Sequence, residues 1–418
     1  MGVMGQTEEL IPEINALLAS LSTPEVSADP YPVYARLRSF GPVRWSAAGG
    51  VLFLTGYDDC AALVRDPAFG SQSPQWCDRV TPGWREHPAR VATFEAMLFR
   101  DPPEHTKLRR LVSAAFTPRQ SERMRSDVAR LTTLALDEVA QAGSDGGIVD
   151  LQEMIAARLP VAVIGSLVGV PAPDWPELRR SISVLLRLVE LSVSQQALTA
   201  ADEAAVALEG YFTRLVSDRT ARPAQDLASA VVAAKDAVSS TGDPVTDDEV
   251  IQTLTFVFMA GVDTMTNLLA NGTFALLTNP RQADILRSGA EHAEAAVDEV
   301  LRYDAPVQLV GRVAAADSVI GGMPVRADEL VLAILGAGNR DPLRFTAPDT
   351  FDITRRGTAP LSFGGGIHRC LGAPLARVEA GEFFTAILAR FPALRLAGEP
   401  VRQGTVFRGF SHFPITVR

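Results

Sequence analysis

The segment from Thr246 to Thr278 constrains the fold more than any other part of the chain. Thr246 and Glu249 match the capping-box pattern that opens a helix, and Asn279-Pro280 supplies a stop signal. A helix of this length would extend about 48 Å at 1.5 Å per residue, which is unusually long for a globular protein. Most of its faces are apolar, so other elements must cover it. The segment therefore predicts one long, buried helix at the centre of the fold.

The remaining patterns predict more helices and a few short strands. Helical spacing continues from Glu104 to about residue 305, and a last helix is expected over residues 371–391. Strand-like patterns occupy residues 41–55, 308–314, 318–320 and 330–335. The proline-containing range 71–88 is predicted to be a long loop. Together these patterns indicate a mainly α fold with small peripheral β-sheets.

The composition indicates one large domain. The chain has 418 residues, of which 47% are hydrophobic, enough to bury a large core. It contains no Gly/Ser linker and no fixed-period repeat, so we predict a single domain over residues 1–418, with 1–28 as a loosely ordered N-terminal lead-in. The first ten residues are polar and acidic, unlike a signal peptide, and no stretch reaches about 18 uninterrupted apolar residues. We therefore expect a soluble, cytoplasmic protein with no membrane segment.

Charge and cysteine content restrict the partners. A net charge of −10 argues against a nucleic-acid partner. The three cysteines are Cys60, Cys77 and Cys370, an odd and sparse set that does not fit a disulfide framework. They are also too few for a four-cysteine iron–sulfur cluster. If the protein needs electrons, a separate partner must deliver them.

The stretch LSFGGGIHRCLG at residues 361–372 carries the most chemical information. Its three consecutive glycines permit positive φ angles and a close approach to a flat, bulky group. Cys370 directly precedes a predicted helix, where backbone N–H groups and the neighbouring His368 and Arg369 would stabilise a thiolate. Taken alone, the stretch fits a metal-binding thiolate and a buried structural cysteine beside a glycine-rich turn equally well.

A longer pattern separates these two interpretations. Phe363, Gly366, His368, Cys370 and Gly372 occupy every fixed position of the signature Phe-x-x-Gly-x-His-x-Cys-x-Gly. The loop therefore resembles the proximal loop of the cytochrome P450 superfamily, and the resemblance extends over nearly the whole chain. It implies a cytochrome P450 fold in which the long central helix crosses a haem b. The Cys370 thiolate would bind the iron, with Phe363 packed against the sulfur side.

The central helix carries a second landmark, the sequence AGVDT at residues 260–264. Gly261 weakens the helix locally by about 1 kcal/mol relative to alanine, and Thr264 is able to bond to a carbonyl about one turn earlier. Both features favour a widened groove. The stretch resembles the family's oxygen-binding groove, which implies that Gly261 lies at the cofactor. Asp263 and Thr264 would be the acid–alcohol pair that delivers protons. The plain alternative is a helix kink with a solvated aspartate.

Four basic residues resemble the family's donors to the haem propionates. His105 and Arg109 lie four residues apart on one predicted helix face, and a histidine with an arginine suits carboxylates. Arg312 resembles the strand arginine with the same role, and His368 matches the remaining donor in the cysteine loop. The plain alternative is a set of solvated basic side chains.

A further resemblance concerns structure rather than chemistry. Glu299 and Arg302 share one helix face and resemble the buried Glu-x-x-Arg pair that holds the cysteine loop in this family. The family often has an arginine where Thr350 stands in this chain, and Arg355 is the candidate to replace it.

The resemblance implies an enzyme. It would be a haem-dependent monooxygenase that inserts one oxygen atom from O₂ into a hydrophobic small molecule, by hydroxylation or epoxidation. Electrons would come from NAD(P)H through a separate reductase and ferredoxin, since the chain has no flavin or iron–sulfur module. An acidic ferredoxin is expected to dock on Arg109, Arg110, Arg369 and Arg377. We expect a monomer.

The substrate is less constrained. The ranges that resemble the family's pocket are mainly aliphatic and aromatic, with Arg79 and Gln308 as candidate polar anchors. The Ala- and Arg-rich sequence resembles actinobacterial enzymes of secondary metabolism, which favours a polyketide or macrolide intermediate. Terpenoids, steroids, fatty acids and carrier-bound amino acids stay open. A catalytically silent accessory homologue and an H₂O₂-driven peroxygenase are the alternative functions, and the pair Asp263-Thr264 favours O₂ activation over both.

Overall fold

The computed structural model describes residues 2–46, 50–191, 193–240 and 244–418. Its helices are α1 (Gly2–Ser20), α2 (Pro24–Ala28), α3 (Tyr31–Ser39), α4 (Tyr57–Leu63), α5 (Pro74–Val80), α6 (Pro88–Phe94), α7 (Glu104–Val112), α8 (Pro118–Arg123), α9 (Arg125–Ala142), α10 (Leu159–Val168), α11 (Trp175–Leu185), α12 (Gln195–Ala221), α13 (Leu227–Ser239), α14 (Asp247–Thr278), α15 (Pro280–Ser288), α16 (Ala293–Tyr303), α17 (Leu335–Gly338) and α18 (Ala373–Arg390). Its strands are β1 (Val43–Ser46), β2 (Val51–Leu54), β3 (Phe69–Gly70), β4 (Val149–Asp150), β5 (Leu309–Ala314), β6 (Ser318–Ile320), β7 (Met323–Val325), β8 (Leu330–Ile334), β9 (Arg395–Leu396), β10 (Val401–Gln403), β11 (Gly409–His412) and β12 (Pro414–Thr416).

The predicted central helix is α14. Its N-terminus carries the predicted capping box, since Thr246 Oγ1 accepts the Glu249 N–H at 3.1 Å and the Glu249 carboxylate accepts the Thr246 N–H at 2.9 Å. The helix contacts α10, α12, α16 and α18, and most of its side chains are buried. The prediction of one long, buried helix is therefore confirmed.

By length and composition, α14 is the one helix among the described residues that would also be able to cross a membrane. However, 67% of its apolar 18-residue window is buried by other parts of the protein. A helix that is apolar all round belongs either in a membrane or in a protein core. The packing of neighbouring helices around α14 assigns it to the core.

The strands form small sheets, and β11 in one of them contacts α14. The largest has the order β1-β2-β8-β5-β3, in which β2 and β8 run parallel and the other neighbours run antiparallel. The order β4-β12-β9 gives a three-stranded sheet, and β10-β11 and β6-β7 form pairs. The strands predicted at 308–314, 318–320 and 330–335 appear as β5, β6 and β8. The expected class, mainly α with small peripheral sheets, is confirmed.

The range 71–88 differs from the predicted loop. It contains α5 and a 3₁₀ turn over Trp84–Glu86. Ser73 caps α5, because its hydroxyl accepts the Trp76 N–H at 3.3 Å, and Pro74 occupies the first turn. Proline is favoured in the first turn because no helical N–H bond is needed there. The proline that indicated a loop therefore begins a helix.

Three other ranges also differ in detail from the expectations: the N-terminal region, the strands at 41–55 and the last helix. The range 1–28, expected to be a loose lead-in, forms α1 and α2, and Ile14 and Leu21 are buried; Met1 lies outside the described residues. Of the predicted hairpin at 41–55, residues 47–49 lie outside the described residues, and β1 and β2 flank them. The last predicted helix is α18, which begins two residues later than expected.

The packing of α18 places the cysteine loop relative to the central helix. α18 contacts α14, α16 and α9. Phe384 on α18 lies so close to Gly272 on α14 that a Cβ at Gly272 would fall 2.1 Å from the ring. Because the cysteine loop leads directly into α18, this close contact fixes the position of the loop.

Candidate active site

The cysteine loop folds back on itself. The Cys370 N–H donates to the Phe363 carbonyl at 2.9 Å, which closes the loop. Gly364 and Gly366 have φ angles of +62° and +61°, as the glycine run predicted. A Cβ at Gly366 would lie 2.8 Å from the Val64 carbonyl oxygen, so a larger residue would displace the backbone. The glycines therefore allow the tight path that presents Cys370.

Cys370 differs from the other two cysteines. Cys60 and Cys77 are buried, whereas Cys370 is exposed. Although Cys370 keeps exposed surface, the protein atoms packed around its thiol desolvate it and raise its pKa, while the N–H groups of Gly372 and Ala373 act in the opposite direction. The predicted stabilisation by the helix start is therefore present but is outweighed. A thiol in this setting loses its proton when a bound metal ion takes the proton's place.

Two buried histidines with unused ring nitrogens lie beside the loop. His105 on α7 and His368 have ring centroids 4.4 Å apart. His105 is 2% exposed, and neither of its ring nitrogens has a hydrogen-bond partner among the described residues. The same holds for His368 Nε2, which lies 3.8 Å from Asp101 Oδ1, beyond hydrogen-bond distance. Burial, together with the positive charges of His368 and Arg109, lowers the pKa of His105 to about 4.

Two arginines complete this basic group. Arg312 on β5 is buried, and its recorded hydrogen bond goes to the carbonyl of its own neighbour Gly311 at 2.8 Å. Burial lowers the pKa of Arg312, while Asp101 raises it. Arg109 donates to the Arg369 carbonyl at 2.8 Å, so it lies against the cysteine loop.

This donor set fits an anionic group. A buried donor without a partner costs about 1–3 kcal/mol, so a native protein rarely leaves several together. Paired carboxylates, such as the propionates of haem, are the acceptors that arginine and histidine bind best. The four predicted propionate donors lie on α7, β5 and the cysteine loop, and the side chains of His105 and His368 are in contact.

The stretch AGVDT lies within α14 as predicted. The Thr264 hydroxyl donates to the Ala260 carbonyl at 2.7 Å, the bond expected one turn earlier. The helix nevertheless remains α-helical through these residues, and the expected widening is not seen. The position of Gly261 at the cofactor stays a prediction; a Cβ on this residue would lie 3.1 Å from Ile164 on α10. Its small size therefore allows α10 to pack closely on α14.

Asp263 is not the solvated aspartate of the plain alternative. It is half-buried, and the Ser183 hydroxyl on α11 donates to its Oδ1 at 3.3 Å. Burial raises the pKa of the Asp263 carboxyl, while Ser183, Arg179 and Arg187 act in the opposite direction. A carboxyl group with a raised pKa is suited to hold and release a proton near neutral pH.

The predicted Glu299–Arg302 pair is fully buried. Arg302 Nε and Nη2 each lie 2.7 Å from a Glu299 carboxylate oxygen. Arg302 also donates to the carbonyls of Asn339 at 3.0 Å and Pro348 at 2.7 Å. Asn339 Oδ1 in turn accepts the Leu361 N–H at 2.7 Å, at the start of the cysteine loop. The pair therefore holds the loop through Asn339.

Arg355 takes the place that the family's usual arginine leaves open. Its Nε lies 3.3 Å from Glu299 Oε2, and it donates to the carbonyls of Thr346, Ala347 and Thr350. Thr350 thus contributes its backbone carbonyl to this network rather than a charged side chain. Glu299 joins two arginines, one on its own helix and one 56 residues away.

The two candidate substrate anchors differ in their surroundings, and their role in binding a substrate stays a prediction. Arg79 pairs with Asp328 at 2.5 Å on the surface. Gln308 is buried, and its side chain donates to the Ala305 carbonyl at 2.7 Å and lies against Gly336. Arg79 is therefore paired with a residue 249 positions away, and the Gln308 amide nitrogen with a carbonyl three residues before it, while Gln308 Oε1 has no hydrogen-bond partner among the described residues.

The expected ferredoxin-docking residues also differ from one another. Arg110 and Arg369 are exposed, whereas Arg377 Nη2 lies 2.9 Å from Asp298 Oδ1, so its charge is neutralised. A cavity of about 420 Å³ opens between Arg369 and Arg377, and Arg65 lines it as well. Arg65 was not identified from the sequence, because it lies some 300 residues before the loop that it contacts, with no local motif.

Two further residues were missed. Ser183 lies on α11 and binds Asp263. Glu190 follows α11 and accepts three backbone N–H bonds from residues 405–407. Neither belongs to a short motif, and the contacts span 80 and more than 200 residues. Only the folded arrangement brings them to the site.

Comparison with known proteins agrees with this arrangement. The family model described as Cytochrome P450 matches residues 184–403. Cytochrome P450 monooxygenase PikC from Streptomyces venezuelae is 36% identical over 94% of this chain and 92% of its own length. Polyketide biosynthesis cytochrome P450 PksS from Bacillus subtilis (strain 168) is 31% identical over 94% and 97%.

A solved structure gives the same result for the fold. The crystal structure of P450BioI in complex with hexadec-9Z-enoic acid ligated acyl carrier protein superimposes with a TM-score of 0.86 and 33% identity. The superposition covers 94% of this chain and 100% of that chain. Membership of this family implies a haem-thiolate cofactor. The chain therefore belongs to the cytochrome P450 family and is an oxidoreductase of the P450 monooxygenase class.

Proposed function

We propose that this protein is a single-domain haem-thiolate monooxygenase that hydroxylates or epoxidises a hydrophobic small molecule of the polyketide or macrolide class. The observation that carries the proposal is the pair of buried histidines with unpartnered ring nitrogens, His105 and His368, with the buried Arg312 and the one exposed cysteine, Cys370. Unpartnered donors next to a thiol fit a cofactor that offers both a metal ion and carboxylates.

Each residue has a proposed role toward haem b. Cys370 would bind the iron, and the Phe363 ring would pack on the sulfur side. His105, Arg109, Arg312 and His368 would donate to the propionates, and Gly261 would permit close packing of the central helix. When bound, the haem supplies the chemistry of O₂ activation, which the Cys370 thiolate favours by donating electron density. The protein supplies orientation, protons and a dry pocket.

Protons would pass through Asp263 and Thr264. The raised pKa of Asp263, caused by burial, widens the pH range over which this carboxyl group holds a proton. The Thr264 hydroxyl donates to the Ala260 carbonyl, which leaves its oxygen lone pairs free to accept a hydrogen bond. A proton held at Asp263 would then move to Thr264 and onward to the reacting oxygen.

Electrons would come from NAD(P)H through a ferredoxin reductase and a ferredoxin. We place the docking charges at Arg109, Arg110 and Arg369, and give Arg377 a smaller role because Asp298 neutralises it. We also propose that the protein acts as a monomer in the cytoplasm, with no nucleic-acid or membrane partner. The silent accessory homologue and the peroxygenase are less well supported, since Cys370, Asp263 and Thr264 are all present.

The substrate class rests on the relatives. PksS is named for polyketide biosynthesis, and P450BioI was solved with a fatty acyl chain on its carrier protein. Both names indicate extended, apolar ligands, and the main core around α14 is lined by aliphatic and aromatic residues. A polyketide-derived substrate fits such surroundings.

Turnover under ¹⁸O₂ tests the proposal. The purified protein, a surrogate ferredoxin, its reductase and NADPH are incubated with a panel of macrolactones and linear polyketide esters. We expect a product that carries one oxygen atom from ¹⁸O₂ and none from H₂¹⁸O. Thr264→Ala should release more H₂O₂ per NADPH. Turnover with H₂O₂ that matches turnover with NADPH would establish the peroxygenase instead, and a protein without haem would establish the accessory homologue.

A further inference from the structure

Glu190 forms a three-point contact that no motif indicates. It follows α11, whose path continues as a 3₁₀ turn over Leu186–Val189. The Glu190 carboxylate accepts the N–H groups of Thr405 at 2.9 Å, Val406 at 3.0 Å and Phe407 at 3.1 Å. Charge-assisted hydrogen bonds from consecutive backbone amides are the strong ones in proteins, so this contact holds the end of α11 firmly. We call it the Glu190 latch.

The receiving side of the latch is rigid. Gly404 has a φ of +80°, and a Cβ there would overlap the Phe407 carbonyl oxygen, so the turn requires glycine. The Thr405 hydroxyl donates to the Leu21 carbonyl at 2.9 Å, and the Gln308 N–H donates to the Val406 carbonyl at 2.9 Å. The turn is thus tied to the N-terminal region and to the start of β5, and it provides a fixed point for α11.

α11 is therefore anchored at both ends. At its start, Trp175 Nε1 donates to the Val170 carbonyl at 3.0 Å. Along its length, Ile182 and Leu185 are buried in the main core. Ser183 lies between the two anchors, in the last turn of α11 and seven residues before Glu190.

The Ser183 contact is sensitive to small shifts. The Ser183 hydroxyl lies 3.3 Å from Asp263 Oδ1, already longer than the usual 2.5–3.0 Å of an O–H···O bond. A displacement of α11 by a few tenths of an ångström would break it. Asp263 sits on α14, which other helices pack from several sides, so the movable partner is α11.

We infer that Glu190 is a positioning residue for proton delivery: its latch on the 405–407 turn holds α11 where Ser183 orients the carboxyl group of Asp263. The inference rests on the proposed function, because it assigns Asp263 to proton delivery. With the latch closed, Ser183 holds Oδ1 of Asp263. With the latch open, Asp263 loses this orientation while the haem site is unchanged.

The division of reduced O₂ between H₂O₂ and water measures proton delivery through Asp263, and this measurement does not require a known substrate. Two electrons and two protons convert O₂ to H₂O₂, whereas four electrons and four protons convert it to two water molecules. Poor delivery of protons to the distal oxygen raises the share released as H₂O₂. The intact protein, reduced by NADPH through a surrogate reductase and ferredoxin, gives this share from O₂ consumed and H₂O₂ formed.

The variants are Glu190→Gln, Ser183→Ala and their combination, with Glu209→Gln on the exposed face of α12 as the matched control. We expect each single variant to raise the ratio of H₂O₂ to water about threefold to tenfold, a part of the 10²–10⁴ that a positioned acid contributes. Both should also change the solvent deuterium isotope effect on O₂ consumption. The double variant should equal the single ones, because both remove the same contact.

Other results would overturn the inference. If Glu190→Gln behaves like Glu209→Gln, or if the effects of the two substitutions multiply in the double variant, Glu190 does not act through Ser183. If Glu190→Gln fails to fold, Glu190→Asp, which keeps the carboxylate, must restore both the fold and the wild-type ratio of H₂O₂ to water. A Glu190→Asp protein that folds without restoring this ratio also contradicts the inference. The carbon monoxide band of the wild-type protein is recorded first, so that a missing thiolate ligand is recognised as failure of the proposed function instead.

Discussion

Two of the buried groups of basic side chains differ in what their nitrogen atoms contact. In the first, which we call the saturated cluster, Asp304 binds Arg408 Nε at 2.8 Å, Arg402 Nη2 at 2.7 Å and the Tyr31 hydroxyl at 2.8 Å. In the second, which we call the open cluster, His105, Arg312 and His368 are buried without such partners.

The difference separates a structural role from a ligand-binding role. Both clusters contain buried cations, so residue type alone does not distinguish them. The saturated cluster joins the N-terminal region, α16 and β10–β11, and both of its arginines form ion pairs with the carboxylate of Asp304. The open cluster has donors in excess of acceptors, which is the condition for binding an anion. The following variants test this comparison.

Asp304→Asn should have the largest effect, and it should act on stability. Removing the carboxylate leaves Arg402 and Arg408 as unpaired buried charges, which costs about 3–5 kcal/mol. Urea unfolding measures the loss. The control is Asp349→Asn, whose carboxylate is 76% exposed and pairs with Arg340 at 3.2 Å; its loss should stay below about 1 kcal/mol. Equal losses for the two variants would contradict the comparison.

The stabilisation by Asp304 should also depend on pH. Arg402 and Arg408 hold the pKa of Asp304 below its usual range, against the opposing effect of burial. A carboxyl group with a lowered folded-state pKa contributes stability above its unfolded pKa of about 3.9, and this contribution disappears as the pH falls through the folded pKa. Asp304→Asn should therefore flatten the acid limb of the stability curve.

Arg312→Ala should weaken haem binding while leaving the haem-free protein as stable as before. One lost charge-assisted hydrogen bond, worth about 1.5–3 kcal/mol, corresponds to about 10–100-fold faster transfer of haem to an acceptor protein. Without haem, the substitution removes a buried donor that has no external acceptor, so the unfolding free energy should stay the same or rise. Arg326→Ala, on the surface, is the control. A large loss of stability in the haem-free Arg312→Ala protein would assign Arg312 a structural role instead of a ligand-binding one.

His105→Gln should have the smallest effect, visible as a change with pH. The pKa of His105 is lowered to about 4, so the folded state binds fewer protons than the unfolded state between about pH 6.5 and that value. The stability of the haem-free protein should therefore fall as the pH drops through this window. His105→Gln should reduce the fall, and bound haem should also reduce it, because propionates favour the charged imidazole. Identical slopes with and without haem would argue against a propionate contact at His105.

The features that the sequence predicted well are local ones. The capping box of Thr246 and Glu249, the Glu299–Arg302 pair and the cysteine loop each lie within twelve residues of chain, so spacing alone encodes their geometry. The sequence also predicted the positions of the strands near Arg312, because the alternation of apolar residues in a strand has a short period.

Contacts between distant segments were not predictable in this way. Arg408 reaches Asp304 over 104 residues, and Glu190 reaches Thr405 over 215. Arg79 was expected to be free for a ligand, but Asp328, which holds it, follows 249 residues later. A single sequence has no signal for such pairs, since any of many charges is able to serve as the partner. The same reason explains why Ser183 and Arg65 were missed.

The most direct test of the central claim is the Soret band of the reduced protein with carbon monoxide. We predict a strongly red-shifted band, present in the wild type and in a Cys77→Ser control, and lost in Cys370→His. That result would establish Cys370 as the thiolate ligand beside the open cluster. A wild-type band at the position of a neutral histidine ligand, or a band that survives in Cys370→His, would contradict the account.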